Sequence, residues 1–174
     1  IICEWNHRAK AVLKELRSDS QTENQPIVLI ADIDEKPEDD PLLVFVRGVV
    51  NEESLNKANL AEANTIIILG DDRVEATARD AKVVLTTLTV ESINPGVYSV
   101  VELLDKANEP DCNRANADEI IGGSELNSHL IASAARDHGI SRIVSELLSS
   151  RYCNELYSMP VPKDMTGLSF FDVF

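Results

Sequence analysis

The sequence predicts an α/β fold, a Rossmann-like doubly wound parallel sheet, on three observations. Short apolar runs rich in β-branched residues recur along the chain. They are continuous rather than alternating, as in strands buried on both faces. Most are separated by stretches of helical periodicity, and strands alternating with helices make βαβ units and a parallel sheet. The runs are Ile1–Cys3, Ile27–Ile30, Leu42–Val46, Thr65–Leu69, Val97–Val101 and Glu119–Ile121, so the sheet domain occupies residues 1–121.

The first helical stripe is Ala9, Val12, Leu13 and Leu16, with Asn6 placed to cap it. A short one, Leu55 and Ala58, follows Asn51. A long one carries Ala78, Ala81, Val84, Leu85 and Leu88, with Asp71 or Asp72 as its cap. After Asp105 a weaker helix is interrupted at Pro110. One unit is irregular: ADIDEKPEDDP, residues 31–41, barely reaches the ~10–12 residues of a parallel crossover and contains Pro37 and Pro41. Either its helix is absent or part of a mobile acidic loop is missing from the chain.

After Ile121 the pattern changes. Gly122-Gly123-Ser124 leads into a helix with Leu126, Leu130, Ile131 and Ala134 on one face, stopped by Gly139. Ser141 caps a second helix with Ile143, Val144, Leu147 and Leu148. These two helices occupy residues 122–150. In residues 151–174, the stretch Glu155–Pro162 alternates like a strand with one face exposed, and the chain closes on apolar residues that need a partner surface.

Composition excludes several functions. Acids outnumber bases 30 to 16, for a net charge of −14, so the chain lacks the basic face that nucleic acids or anionic lipids demand. The same charge raises the chance of a cation ligand. Three scattered cysteines without CxxC spacing suit a reduced compartment. No apolar run approaches the ~18 residues of a membrane span. The opening Ile1-Ile2-Cys3, already inside an apolar run and without Met, is expected to belong to a longer protein.

Parallel sheets of this kind bind ligands at the carboxyl ends of their strands. After the first strand, Glu4 and Asn6 stand where a dinucleotide site has its first two glycines, and Ala9 where it has the third. A Cβ crowds a pyrophosphate there and a carboxylate repels it; His7 and Arg8 offset part of that charge. A degenerate nucleotide site using Asn6, His7, Arg8 and Asp32, and a plain strand–helix turn, account for these residues equally. Asp32 would bind ribose hydroxyls or ligate a hard cation. Glu38-Asp39-Asp40 reads as a solvated acidic loop. Glu102 interrupts an apolar strand; a ligand role and simple hydrogen bonding to neighbouring N–H groups both fit it. His7, His129 and His138 are scattered, and neither GxSxG nor a P-loop occurs. Cys3 reads as inert packing. The residues therefore indicate no enzyme. A NAD-dependent oxidoreductase would need an intact glycine turn and a catalytic acid–base pair, and a plain scaffold would need neither.

The succession IICEWNHRAKAVLKEL, VLIADID, FVRGVVNEESLNKANLAEANTIIIL and YSVVELLDKANEPDCNRANADEII resembles the RCK (regulator of potassium conductance) domain, over essentially the whole chain. ARDAKVVLTTLTVESINPGVYSVVELLD is most similar to prokaryotic channel members. The resemblance implies a cytosolic gating-ring domain, on the cytoplasmic side of a membrane protein, joined to a potassium-channel pore and coupling ligand binding to pore opening. A nucleotide-sensing subunit of a potassium uptake system is the related alternative. It also implies that residues 122–150 form a helix–turn–helix crossover pairing two copies through Leu126, Leu130, Ile131, Ile143, Val144 and Leu147, giving a dimer within a larger homo-oligomeric ring. Residues 151–174 then begin a small C-terminal subdomain. Glu102 matches a calcium-ligand position of calcium-gated members, but Gly48-Val49 replaces Gly-Asp and Leu104 stands where a second acid is expected. A Ca²⁺ site would recruit Glu4, Asp32, Asp71 and Glu102; adenine nucleotide or NAD is the rival ligand.

Overall fold

The computed structural model describes residues 1–149, 161–162, 165–167 and 169. Six parallel strands lie in the order β3-β2-β1-β4-β5-β6, the order of a doubly wound sheet. They are β1 (Ile2–Cys3), β2 (Ile27–Ala31), β3 (Leu43–Arg47), β4 (Thr65–Ile68), β5 (Tyr98–Leu103) and β6 (Glu119–Gly122). The order reverses between β1, which pairs with β2 and β4, and its neighbours, so the carboxyl ends of β1 and β4 face a common crevice.

Side-chain alternation divides the core. On one face Ile2, Leu29, Ala31 and Leu43 pack with Ala9 and Leu13 of α1 (His7–Leu16). On the other, Cys3, Ile30, Ile66, Ile68, Val101 and Leu103 pack beneath α2 (Glu52–Lys57), α3 (Ala76–Ile93) and α4 (Glu109–Arg114). Asn6 caps α1 as expected, its side chain accepting from the N–H groups of Arg8 and Ala9 at 2.9 Å. Asn51 and Ser54 form a reciprocal capping box at α2.

No helix links β2 to β3, one of the two alternatives the sequence left open; residues 32–42 run as turns and bends. Within the sheet domain four expectations are corrected. First, the acids of this loop are not simply solvated. Lys10 pairs with Glu38 at 2.8 Å and Arg17 Nε with Asp40 at 2.8 Å. Arg17 Nη1 also binds the carbonyls of Thr22, Glu23 and Gln25. The Arg17 hydrogen bond holds Asp40 below the usual carboxylate range. Second, α3 is capped by Glu75, not Asp71 or Asp72; its carboxylate accepts from Thr77 and Ala78. Third, α3 is turned the other way. Val83, Thr87 and Val90 face the sheet, whereas Leu85 is 64% and Leu88 47% exposed. The helix has apolar residues on more than one side, so periodicity alone does not choose the buried one. Fourth, Pro110 opens α4 rather than breaking a helix, because the first helical residues need no N–H partner.

Beyond β6, α5 (Gly123–Arg136) and α6 (Ile140–Leu148) pack on each other. Gly139, at φ +95°, makes the turn between them and stands at the N-cap of α6, one position before Ile140 and two before the expected Ser141. The expected strand at 155–162 lies outside the described residues except for its last two positions. Among the described residues no helix is long and apolar enough to cross a membrane.

Candidate functional site

The crevice at the carboxyl ends of β1, β4 and β5 is built by two loops. The first, Glu4 to Asn6, keeps the backbone path of a glycine turn although its glycine is missing: Glu4 sits at φ +70°. For a residue with a Cβ this left-handed conformation costs about 1–2 kcal/mol. The compensation is visible in its side chain. Glu4, 4% exposed, reaches across to α3 and pairs with Lys82 Nζ at 2.6 Å. The second loop, Gly70 to Glu75, is tied to the first by Asn6, whose Nδ2 donates to the Gly70 carbonyl at 2.9 Å.

Two ionic knots fill the crevice. In one, Glu4 and Asp71 share two cations. Lys82 Nζ lies 2.6 Å from Glu4 and 3.8 Å from Asp71. Arg73 lies 2.8 Å from Asp71 and 3.8 Å from Glu4, and its Nη1 donates to the Asp32 carbonyl at 3.0 Å. Hydrogen bonding from Arg73 holds Asp71 below the usual carboxylate range. In the other knot, Glu102 receives Arg79 at 2.8 Å and Arg8 at 2.6 Å. Asp72 closes it, paired with Arg8, with Arg79 at 3.2 Å and with His7 at 3.6 Å. Burial lowers the Arg8 pKa, but hydrogen bonds and charge from Asp72 and Glu102 outweigh it and the net direction is upward. Arg79 is 4% exposed, and its Nε lies against Gly70 without a hydrogen-bond partner.

The acids read from the sequence therefore do meet at one rim, but in two sets. Glu4 and Asp71 converge, with the Asp32 backbone joined through Arg73. Glu102 stands apart with Asp72. Among the described residues no group of three acidic, histidine or cysteine side chains is arranged to hold a metal ion. The nucleotide-type residues are likewise committed elsewhere: Asn6 occupies two α1 amides, and Arg8 and His7 face Asp72.

Sequence reading missed the cations. Arg73, Arg79 and Lys82 supply three of the four positive charges in the crevice, and Arg79 and Lys82 are one helical turn apart at the start of α3. Their spacing was the available signal; what hid it was the apolar stripe of Ala81, Leu85 and Leu88, which pointed to another side of α3. Between the knots is a cavity of about 10 Å³, lined in part by Cys3, Glu4, Asp71, Arg79 and Lys82, room for a single water at most. Cys3 is fully buried, and burial pushes its thiol up to about 12, as expected of inert packing. Of the six expected pairing residues, Leu126, Ile131, Ile143 and Leu147 are 60%, 70%, 55% and 39% exposed, while Leu130 and Val144 are half-buried.

Comparison with known proteins places this arrangement. A calcium-gated potassium channel of Thermoplasma volcanium, TvoK, is 26% identical over 99% of the chain, and a putative potassium channel protein of Bacillus subtilis, YugO, is 34% identical over 72% of it. The chain spans 50% of the length of the first and 38% of the second. The fold is shared with the human SLO3 gating ring, at TM-score 0.67 and 16% identity over 91% of this chain and 30% of that one. It is shared also with the GsuK channel bound to NAD, at TM-score 0.61 and 18% identity over 94% of this chain and 27% of that one. The family model of the slowpoke-like RCK domain of calcium-activated potassium channels matches residues 1–101, which hold β1 through β5 up to Val101 and so both loops of the crevice. The chain belongs to the slowpoke-like RCK-domain family.

Proposed function

We propose that this chain is the regulatory, non-catalytic gating module of a potassium channel, positioned on the cytoplasmic side and converting Ca²⁺ binding into a change in how paired modules sit. The single observation that carries the reading is the crevice itself. Its ion pairs join β5 and the loops after β1 and β4 to α1 and α3, so any ligand that exchanges partners there alters the seating of two helices at once. Coupling requires only that the ligand bind one arrangement better than the other.

Ca²⁺ takes hard oxygen ligands. Glu4, Asp71 and the Asp32 carbonyl supply them around Arg73, whose side chain is 58% exposed and would swing outward to admit the ion. Lys82 is the tethered competitor on the same carboxylates. Glu102 would then act on the helices through Arg8 and Arg79. The names of the curated relatives, a calcium-gated channel among them, support the cation over a nucleotide. So does the commitment of Asn6 to the α1 amides.

Calorimetric titration of the whole chain with Ca²⁺ tests the ligand. Lys82→Met should tighten binding about tenfold, equivalent to ~1.4 kcal/mol, and Asp71→Asn should abolish it. Ca²⁺ heats unchanged in both variants would remove this site. A melting temperature raised by ADP or NAD⁺ but not by Ca²⁺ would replace the cation with a nucleotide.

Pairing is supported by the exposed Leu126, Ile131, Ile143 and Leu147, and by Ile121, 50% exposed on the sheet face beyond α1. Sedimentation at rising concentration should give a dimer that Ile131→Glu together with Ile143→Glu reduces to monomer. A monomer at every concentration would refute the pairing.

A further inference from the structure

At the opposite end of the sheet lies a polar group that the crevice does not involve. Ser99, at the start of β5, is fully buried on the face covered by α3. Its Oγ stands 3.2 Å from Glu91 Oε1 on α3 and 3.2 Å from Asp118 Oδ2 in the turn before β6. It also accepts the Asp118 N–H at 3.1 Å, while Asp118 Oδ2 accepts the Ser99 N–H at 2.8 Å.

A hydroxyl has one proton to donate and two lone pairs. With both carboxyls ionised, one of the two oxygens near Ser99 Oγ is left facing it without a proton between them, and two negative charges share one serine. With a proton on Glu91 every bond is made. Glu91 donates to Ser99 Oγ, Ser99 Oγ donates to Asp118, and Asp118 remains the carboxylate that binds the Ser99 N–H. Asp118 is the carboxylate to stay charged because it receives the backbone donor as well.

We propose that Glu91, Ser99 and Asp118 form a proton-operated latch that fastens the last turns of α3 to β5 and β6 when Glu91 is neutral and loosens them when it ionises. The charged group acting on Glu91 is Asp118; the nearby Glu119 is bound to the Tyr98 hydroxyl at 3.0 Å, on residues that alternate to the other face of the sheet. Among the described residues no cation acts on Glu91. Burial raises the Glu91 pKa; the Ser99 hydrogen bond opposes it, a smaller repulsion by Asp118 adds to the rise, and the net direction is upward. The folded protein thus holds this proton more tightly than the unfolded chain does. The stability it adds is complete below the ordinary glutamate range and is lost as pH rises through the elevated folded-state value. Since α3 carries Arg79 and Lys82 at its other end, the latch offers a route by which acidity affects the crevice, whichever ligand occupies it.

Two measurements on the whole chain test the latch. In ¹³C NMR the Glu91 carboxyl should titrate above the exposed glutamates. In thermal melts Glu91→Gln, whose amide can donate to Ser99 Oγ permanently, should match wild type at pH 4, below the ordinary glutamate range, and melt about 2–4 °C higher at pH 8. A Glu91 resonance titrating with the exposed acids, or a variant offset from wild type by the same amount at both pH values, would overturn the proposal.

Discussion

Replacing Asp80 by alanine is expected to destabilise the chain by about 4 kcal/mol. Asp80 is 1% exposed on α3, and its carboxylate serves three donors. Oδ1 accepts the Leu104 N–H at 3.1 Å, and Oδ2 accepts the Asp105 N–H at 2.9 Å and Asn108 Nδ2 at 2.9 Å. Hydrogen bonds to a charged group are worth roughly 1.5–3 kcal/mol each, and truncation leaves the donors unpaired. The sum is not simply additive, because Asp105 lies near enough to solvent for water to replace part of the loss. Asp80→Asn keeps one oxygen but sets an N–H₂ against donors, so it should recover less than half. Urea unfolding checks both. A loss below about 1 kcal/mol for the alanine variant would mean that the segment after β5 is held by something else.

Gly70→Ala is expected to cost about 3 kcal/mol, through a residue that the substitution does not touch covalently. An added Cβ would lie 1.8 Å from Arg79 Nε and 2.6 Å from its Cζ, which no side chain tolerates. The guanidinium must leave, and it cannot leave cheaply. Its side chain is 5% exposed and it neutralises Glu102 and Asp72. Glu102 keeps Arg8 but loses half its compensation in a site with little water. Breaking a buried pair from one side usually costs about 3–5 kcal/mol; the remaining Arg8 puts this case at the low end. Adding Arg79→Met should remove most of the penalty of the alanine relative to Arg79→Met alone, since the clash then falls on a neutral side chain. If the two substitutions instead add independently in urea titrations, Arg79 is not the group that the new methyl displaces.

These two residues also mark where sequence reading stopped. A glycine after a buried strand is legible as a tight turn. That it is needed because an arginine nine residues further along the chain lies across it is not. An aspartate in a helix interior, next to an arginine, reads as a solvated face; here both Arg79 and Asp80 point inward, because α3 turns Val83, Thr87 and Val90 to the sheet and carries its neighbours with them. The stripe of Ala81, Leu85 and Leu88 had the better apolar pattern and lost. Val, Thr and Ile on the opposite side fit the groove over β4 and β5, and hydrophobicity alone does not register that shape.

The linear order of residues was sufficient for everything decided by local chemistry. Continuous β-branched runs named the six strands, Asn6 named the start of α1, and their alternation with helices named a wound parallel sheet. Acidic residues at strand ends placed the rim. What only three-dimensional packing decided was charge balance. Glu4 pairs with a lysine 78 positions later, and Glu102 with arginines from both helices flanking the crevice. Such pairing depends on which face of α3 is turned inward, a choice made by the competition between alternative packings of the whole core, and no local pattern contains the outcome of that competition.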